Sequence, residues 1–436
     1  MDASIGIYLV LIFGLFIALG VPIAISIGAS SVIILISSMP FTVAVSTAGQ
    51  KMVTGIDSFS LLAVPLFILA GNIMNHGGIA QRLVQFAYIF VGRIPGAVSH
   101  VNIVANMLFG SVSGSAVAAV AAVGKTLLPQ VRKNGMDVSL FTAANIASGP
   151  TGQIIPPSNG MIVYSVVSGG TSIGALFLAG YLPGILMGLA SMIVVAIYLK
   201  LYPHLAGDRI VIKFTFKEIC EIVWRAFPSL AMIIVIIGGI IAGIYTATEA
   251  ACSAVIYALL LSIIYRQIDF KILKTIAKDT IEISSLVLFL IGASSAMSYV
   301  LAYTQLPKLI SDTILGFTTN PIIILLIINV VLLIVGMFMD LTPALLIFTP
   351  IFLPIALEIG MHPVHFGIMM MFNLCVGITT PPVGSCLFVG CSISNVSIEK
   401  VTRKLLPFFA AIIVTLMIVT YVPALSLAIP TWAGLI

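Results

Sequence analysis

The sequence predicts an all-α polytopic membrane protein whose two halves repeat one architecture. Hydrophobic residues fill 60% of the 436 positions and charged residues only 8%, which is more apolar than a soluble core of this size needs. Apolar stretches long enough to cross a bilayer recur, about ten in all. Two polar runs, Gly149–Gly160 and Gly377–Gly384, each interrupt such a stretch with a double proline. Because backbone groups freed inside a membrane must face protein or water, paired breaks favour a transporter.

The first half opens with two predicted spans at about 5–20 and 22–37, and a third follows at about 58–75. No basic residue precedes the first apolar run and no small-residue cleavage site follows it, so we expect that run to be retained as a span. Residues 79–90 carry an apolar stripe at helical spacing beside polar residues. This pattern predicts an arm at the membrane interface rather than a span.

Residues 97–131 consist of two helical segments joined through the Gly/Ser run Gly110–Ser115. Neither segment is long enough to cross a bilayer comfortably. We therefore predict a re-entrant hairpin over 97–131, entering and leaving on one side with its tip at mid-membrane. A broken helix at 138–168 and a span at about 182–201 complete the first repeat, residues 1–202.

The second half, residues 228–436, follows a charged cytoplasmic connector over 203–227 and repeats this order. A second amphipathic arm precedes a second predicted hairpin over 321–358, whose tip includes Asp340, and a second broken helix over 364–392. The other predicted spans of this half lie at about 228–244, 247–265, 284–302 and 405–427.

The repeat has a constant register. Pro156-Pro157 recur as Pro381-Pro382 at a shift of 225 residues. The same shift relates Pro129 to Pro354, Gly135 to Gly360 and Gly152 to Gly377, and a shift of 226 relates Gly110 to Gly336. Since each half contains an odd number of spans, the second copy is inverted in the membrane.

The basic residues test this topology independently. Of 19 Lys and Arg residues, all except Lys51 and Lys308 fall on one side of the predicted membrane. Basic residues concentrate on the cytoplasmic side of membrane proteins, so both chain termini are expected outside. The first hairpin then enters from the cytoplasm and the second from outside, and their tips meet near the midplane.

The tips and breaks supply groups that bind both anions and cations. Half-helix N-termini offer N–H groups to a carboxylate, while half-helix C-termini and unwound carbonyls can ligate Na⁺. Hydroxyls and glycines gather at the first tip and the facing break, namely Gly110, Ser111, Ser113, Gly114, Ser115, Gly149, Thr151, Gly152, Ser158 and Asn159. Close helix packing is the alternative reason for such small residues.

Asp340 is the sharpest single signal. A carboxylate deep in apolar sequence is costly unless it is paired or solvated. It could ligate Na⁺, take a proton, or accept hydrogen bonds from hydroxyl or amide groups of a substrate, whereas direct contact with a substrate carboxylate would need an intervening cation or proton. Thr342, Thr379 and Thr380 lie where a second cation site is expected. Glu249, which opens the span at about 247–265, suits either a helix cap with Thr246 or Thr248 or a functional role.

Several other functions are disfavoured. No glycine-rich phosphate loop followed by Lys-Ser or Lys-Thr occurs, which argues against ATP hydrolysis, and nothing indicates nucleic-acid binding. The five cysteines lack metal-ligand spacing and suit apolar packing. An intramembrane hydrolase using Ser113 or Ser115 would need a histidine at the same depth, yet every histidine lies near a predicted loop or interface. A channel fits poorly with two oppositely entering hairpins.

The chain resembles, along essentially its whole length, the large membrane subunit of tripartite ATP-independent periplasmic (TRAP) transporters, in the form not fused to its small partner. Five stretches carry the resemblance: Gly110–Ser115, Gly149–Asn159, Tyr245–Ala251, Gly336–Asp340 and Gly377–Pro382. It implies a bacterial inner-membrane protein with periplasmic termini that imports an organic acid, such as sialic acid or a dicarboxylate, by an elevator motion driven by two or more Na⁺. It also implies two partners, a small four-helix membrane subunit and a soluble periplasmic binding protein.

The resemblance also implies roles for residues. Ser113, Ser158 and Asp340 would lie at the substrate, with Ser115 and Asn159 beside them. One Na⁺ would lie between the first tip and break, at Gly110, Ser111, Ser113, Gly149 and Gly152. A second would lie at Gly336, Asp340, Thr342, Thr379 and Thr380. The alternative within transporters is a stand-alone Na⁺- or H⁺-coupled dicarboxylate carrier of related architecture, which would not depend on a soluble binding protein.

Overall fold

The computed structural model describes residues 4–207 and 214–436, and all regular secondary structure within them is helical. Residues 1–3 of the first repeat, and Arg209 and Lys213 of the connector 203–227, lie outside the described residues. The described helices, besides single 3-10 turns at Phe59–Leu62 and Pro203–Ala206, are α1 (Ser4–Ala18), α2 (Ile23–Ser38), α3 (Phe41–Ile56), α4 (Ala63–His76), α5 (Ile79–Val91), α6 (Ala97–Ser113), α7 (Ala116–Lys133), α8 (Val138–Ser148), α9 (Thr151–Ile154), α10 (Asn159–Val167), α11 (Ile173–Leu201), α12 (Phe216–Ile241), α13 (Ala247–Ile264), α14 (Phe270–Tyr303), α15 (Leu306–Phe317), α16 (Pro321–Gly336), α17 (Leu341–Glu358), α18 (Pro363–Gly377), α19 (Ser385–Ser394), α20 (Ile398–Tyr421) and α21 (Ala424–Trp432).

Seven of the described helices are long and apolar enough to cross a membrane, counting α4 together with the 3-10 turn before it. The other six are α11, α12, α13, α14, α17 and α20. The helices at the first two predicted spans, α1 and α2, are shorter, at 15 and 16 residues. An all-helical chain with this many apolar helices is a polytopic membrane protein.

Some helices extend well beyond the predicted spans. Helix α14 continues for 34 residues, although the sequence predicts a span only over 284–302. Asp269 caps its start by accepting a hydrogen bond from the Ile272 N–H at 2.7 Å, and no proline interrupts it. At 1.5 Å per residue it is about 50 Å long, so its Lys-rich N-terminal part projects beyond the apolar core of a bilayer. Helix α12 likewise begins at Phe216, inside the predicted connector.

The helices pack in two groups, and each group draws on both halves of the sequence. In the first, which we call the frame group, α14 packs on α2, α3 and α4, and α13 packs on α4 and α12. In the second, the hairpin group, α6 to α11 pack with one another and with α16 to α21. Helices α5 and α15, the predicted arms, contact both groups: α5 touches α12 and α6, and α15 touches α14 and α17.

Helix boundaries in the hairpin group recur at a fixed spacing. Helices α7 and α17 both have 18 residues, and their first residues, 116 and 341, are 225 apart. The first residues of α8 and α18, and of α11 and α20, have the same spacing. Gly135 and Gly360, which follow α7 and α17, both have positive φ, at 64° and 80°. This spacing equals that of the double prolines.

Candidate substrate and cation site

The first hairpin tip packs directly on the first helix break. Helix α6 ends at Ser113, and the next residue, Gly114, turns the chain toward α7 with a φ of 63°. One turn earlier, Gly110 lies against Gly152 of the short helix α9, so closely that a β-carbon on Gly152 would lie 2.2 Å from the Gly110 Cα. Only two glycines allow backbones this close. The contact places the C-terminal carbonyl groups of α6 beside the interrupted backbone at 149–157.

The second tip and break repeat this arrangement. A β-carbon on Gly377, at the end of α18, would lie 2.5 Å from the Gly336 Cα at the end of α16. The Val383 N–H donates to the Met337 carbonyl at 3.3 Å, which ties the break to the tip. A cavity of about 60 Å³ remains between them and is lined by Asp340 and Ser385 among others.

The N-terminal ends of four helices lie next to one another where the two halves meet. A β-carbon on Gly114, just before α7, would lie 3.5 Å from the Asn159 Nδ2 at the start of α10. Gly160 in turn lies against Leu341, the first residue of α17. Since α17 and α19 both open onto the small cavity, at Asp340 and Ser385, the four N-termini form a continuous cluster.

Three of these four helix starts keep their N–H groups free of side-chain caps. Ser158 before α10, Asp340 before α17 and Gly384 before α19 make no capping hydrogen bond, whereas Ser115 caps α7 by accepting from the Ala118 N–H at 3.3 Å. At α19 the Cys386 N–H already donates to the Ile378 carbonyl at 3.1 Å. The remaining uncapped N–H groups and the positive ends of the helix dipoles attract negative charge. The cluster is therefore a favourable location for an anionic ligand.

Buried polar atoms without partners mark the same place. The Ser158 hydroxyl is only 1% exposed and has no hydrogen-bond partner. The Asn159 and Gln153 side-chain oxygens and the Ser385 hydroxyl are also buried without partners. Buried polar groups are normally hydrogen-bonded, so an unpaired cluster points to a ligand or ordered water.

The hydroxyls predicted for cation binding bond to carbonyls of their own helices. Ser111 donates to the Leu108 carbonyl at 2.9 Å, Thr379 to Val376 at 2.7 Å and Thr380 to Gly377 at 2.7 Å. Each hydroxyl keeps acceptor lone pairs after donating its hydrogen. Ser113 is buried, with its hydroxyl 3.5 Å from the Ser115 carbonyl oxygen, and Thr342 is half-buried in the first turn of α17.

Comparison with known proteins adds to this geometry. Residues 10–425 match the family model described as "Tripartite ATP-independent periplasmic transporter, DctM component". The chain belongs to this family. It is a TRAP transporter large membrane subunit, as its motifs indicate.

Several relatives match the chain nearly end to end. An uncharacterized protein, YgiK, of Salmonella typhimurium is 52% identical and covers 96% of this chain and 95% of its own length. The sialic acid TRAP transporter large permease SiaM of Vibrio cholerae is 36% identical, covering 88% and 90%. The C4-dicarboxylate TRAP transporter large permease DctM of Rhodobacter capsulatus is 34% identical, covering 98% and 99%.

A solved structure shares the fold of this TRAP subunit. The YdaH transporter of Alcanivorax borkumensis superposes with a TM-score of 0.57 over 90% of this chain and 89% of its own. Because the two sequences are only 16% identical, the likeness concerns the fold alone.

Sequence reasoning missed the buried amides that join each hairpin of the TRAP subunit to its break. The Asn106 Nδ2 donates to the Asn145 Oδ1 at 2.9 Å and to the Ser148 hydroxyl at 2.9 Å. In the second half the Asn373 Nδ2 donates to the Asn329 Oδ1 at 2.8 Å. All four asparagines lie four or seven residues before a contact glycine, and Asn106, Asn329 and Asn373 therefore lie on the same helix face as that glycine. That spacing is the signal that could have identified them.

Replacing Asn145 by alanine is expected to destabilise this TRAP subunit by about 2–4 kcal/mol. Its Nδ2 donates to the Val120 carbonyl on α7 at 2.9 Å, and its Oδ1 accepts from Asn102 and Asn106 on α6, so the change leaves several buried groups unpaired. Equilibrium unfolding in detergent measures the loss. Gln81→Ala, which removes an exposed amide, is the control. Equal unfolding free energies for the two variants would contradict a structural role for the amide network.

Two further groups have structural partners. Glu249 forms a capping box with Thr246: its Oε2 accepts from the Thr246 N–H at 2.7 Å, and the Thr246 hydroxyl accepts from the Glu249 N–H at 3.3 Å. Of the two roles considered for Glu249, the structure thus shows the helix cap. His365 is buried in the protein, and its Nε2 lies 3.1 Å from the Thr420 carbonyl oxygen.

Proposed function

We propose that this TRAP subunit carries an organic acid into the cell together with Na⁺ and without altering it chemically. The observation that carries the proposal is the cluster of four helix N-termini flanked by two glycine contacts where helix C-termini meet. The N-termini provide positive potential for a carboxylate. The C-termini provide carbonyl oxygens, which are suitable ligands for a hard cation.

For substrate binding we propose the residues around the N-terminal cluster, namely Ser113, Ser115, Ser158, Asn159 and Asp340. Asp340, itself a carboxylate, would contact hydroxyl or amide groups of the substrate, or the substrate carboxylate through an intervening cation or proton. The unpaired Ser158 hydroxyl and Asn159 oxygen support this choice. SiaM and DctM, named for sialic acid and C4-dicarboxylates, both handle carboxylates, so a carboxylate is the substrate class we propose.

For Na⁺ we propose one site at each tip-to-break contact. The first comprises Gly110, Ser111, Ser113, Gly149 and Gly152, and the second comprises Gly336, Asp340, Thr342, Thr379 and Thr380. Each Na⁺ moving down a potential of 100 mV contributes about 2.3 kcal/mol to import. Coupling two or more Na⁺ to one monoanion makes import electrogenic.

The topology that we propose is an inverted repeat of about ten spans with two re-entrant hairpins and both termini in the periplasm of a bacterial inner membrane. The 225-residue spacing of helix boundaries supports the repeat, and the distribution of Lys and Arg supports the orientation. The two packing groups support an elevator motion, in which the hairpin group moves against the frame group. Helices α5 and α15 contact both groups, and the groups also meet directly where α14 packs on α17 and α4 packs on α6.

For partners we propose a small four-helix membrane subunit and a soluble periplasmic protein that delivers the substrate. Proteoliposomes containing both membrane subunits test the whole proposal. Uptake of sialic acid or a C4-dicarboxylate is expected to need an inward Na⁺ gradient and the matching periplasmic protein. We expect it to fall more than about tenfold when either is omitted. For the gradient, the reason is that its removal takes away several kcal/mol of driving force. Uptake that ignores the periplasmic protein, or follows a pH gradient instead, would contradict the proposal and favour a stand-alone carrier.

A further inference from the structure

A large cavity lies at the base of the first hairpin, away from the site described above. Its volume is about 650 Å³, and it opens between the start of α6 and the end of α11. Its lining includes Arg93, Gly96, His100, Leu199 and Lys200. The contact glycine Gly110 lies ten residues further along α6 than His100, about 15 Å at helical rise. The cavity is therefore separate from the tip-to-break contacts.

The cavity has a basic rim. Arg93 and Lys200 are both exposed, and none of the described residues that line it is acidic. Asp137 follows the lining residue Met136 but is engaged in capping α8, where it accepts from the Leu140 N–H at 2.6 Å. Asp208, which follows the lining residue Gly207, lies outside the described residues. Two cations without a described acidic partner at one opening favour an anionic ligand.

Helix α6 begins inside this cavity. Gly96, its capping residue, has no side chain to bond the first N–H groups, and no capping hydrogen bond is formed. Ala97 and Val98, the first two helical residues, line the cavity, and amides at these positions have no partner within their own helix. Because α6 has 17 residues, the positive end of its dipole adds to the charge of Arg93 and Lys200.

His100 is the independent sign of a missing ligand. It lines the cavity, is only 2% exposed, and has no hydrogen-bond partner at either ring nitrogen. It lies one helical turn after Gly96 and thus on the same side of α6 as the start of the helix. An imidazole without partners in a buried position is unusual, and it can donate a hydrogen bond to an oxyanion.

We propose that this cavity binds a phosphate group through Arg93, Lys200, the first N–H groups of α6 and His100. Two sources share that chemistry, the headgroup of an anionic phospholipid and inorganic phosphate. Ile94, Ala196 and Leu199 also line the cavity, and their apolar surface could hold the start of an acyl chain.

The test compares the full chain with the double variant Arg93→Gln/Lys200→Gln, which removes two exposed charges and leaves the buried core unchanged. Native mass spectrometry measures retention of phosphatidylglycerol against phosphatidylcholine from an equimolar mixture. Thermal unfolding in detergent measures the binding of added inorganic phosphate. We expect the double variant to lose about 25-fold in affinity, since each basic residue near an anionic surface contributes about fivefold. Lys133→Gln, an exposed charge on α7 of the same hairpin, is the matched control and is expected to change neither readout.

Selective loss of phosphatidylglycerol in the double variant would support the site and identify a lipid headgroup as its ligand. Selective loss of the phosphate-induced stabilisation would support the site with inorganic phosphate as its ligand. If the native chain, the double variant and Lys133→Gln retain lipid and respond to phosphate alike, the proposal is wrong. A His100→Phe variant separates the histidine from the charges: it is expected to weaken the same ligand severalfold while both cations remain.

Discussion

Replacing Asp340 by asparagine is expected to slow Na⁺-driven uptake about 100-fold, because a contact to a charged group contributes up to about 3 kcal/mol. Asp340 precedes α17 at the second tip and makes no capping hydrogen bond to the N–H groups further along that helix. Beside the neighbouring Leu341 N–H, its carboxylate keeps acceptor sites for a cation or substrate. Its cavity is shared with Ser385 and with Gly336 at the glycine contact. Uptake into proteoliposomes, with substrate delivered by the periplasmic protein, measures the effect.

Two variants separate the charge of Asp340 from its position before a helix. Asp340→Ser keeps a side chain that favours a helix start but removes the charge, and it is expected to be as defective as the asparagine variant. Asp312→Asn, on the exposed face of α15, is expected to transport normally. If Asp340→Ser retains near-normal uptake, the carboxylate has no direct role.

The kinetic form of the defect distinguishes the possible roles of Asp340. A Na⁺ ligand would, when removed, raise the Na⁺ concentration that gives half-maximal uptake. A substrate contact would instead change the dependence on substrate while the Na⁺ requirement stays unchanged. The Gly336 carbonyl and the Thr379 hydroxyl lie in the same tip-to-break region and are oxygen ligands suited to Na⁺. We therefore expect Asp340→Asn to raise the Na⁺ concentration that gives half-maximal uptake.

The fold class and the helix interruptions could be predicted from local chemistry. A double proline ends a helix, because proline lacks an N–H donor and restricts the residue before it. The observed gaps between α9 and α10 and between α18 and α19 coincide with Pro156-Pro157 and Pro381-Pro382, whereas the single Pro129 and Pro183 lie inside α7 and α11. The Gly/Ser run at 110–115 likewise contains the turn between α6 and α7. Such signals act over a few residues, so tertiary structure does not override them.

Helix length and side-chain partners could not be predicted in the same way. Nothing in residues 270–283 breaks a helix, so α14 continues through a polar segment that hydropathy alone does not identify as part of a span. Asn106, Asn145 and Asn373 find partners on other helices, and those partners are defined only once the hairpins pack on the breaks. His100 lies near a loop edge in the sequence but is buried in the structure, and the packing of α6 on α11 joins segments too far apart in the chain for sequence position to show it.

Gly152→Ala is expected to impair transport severely, because Gly152 forms one of the two glycine contacts. The added methyl group would lie 2.2 Å from the Gly110 Cα and 2.8 Å from the Asn106 carbonyl oxygen. Both are backbone atoms, so no side-chain rotation can relieve the overlap. We expect the hairpin to move away from the break, with uptake reduced about 10- to 100-fold and a loss of stability of about 1–3 kcal/mol.

Gly188→Ala is the matched control for Gly152→Ala. Its methyl group would lie 2.4 Å from the Met107 sulfur, a nominally similar overlap, but the flexible methionine side chain can move aside. Alanine also favours the α11 helix by about 1 kcal/mol over glycine. We therefore expect less than a twofold change in uptake for Gly188→Ala, measured with the same proteoliposomes.

The Na⁺ concentration that the Gly152→Ala variant needs for half-maximal uptake shows whether the glycine contact serves cation binding or only helix packing. If the contact holds carbonyl groups in place for a cation, separating the hairpin from the break spreads those ligands apart, and half-maximal uptake should need more Na⁺. Gly377→Ala, which would place a methyl group 2.5 Å from Gly336, should shift the Na⁺ requirement in the same direction, because the second contact has the same geometry. Lower stability with an unchanged Na⁺ requirement in both variants would mean that the glycines serve only to bring helices together, and the cations would then bind elsewhere.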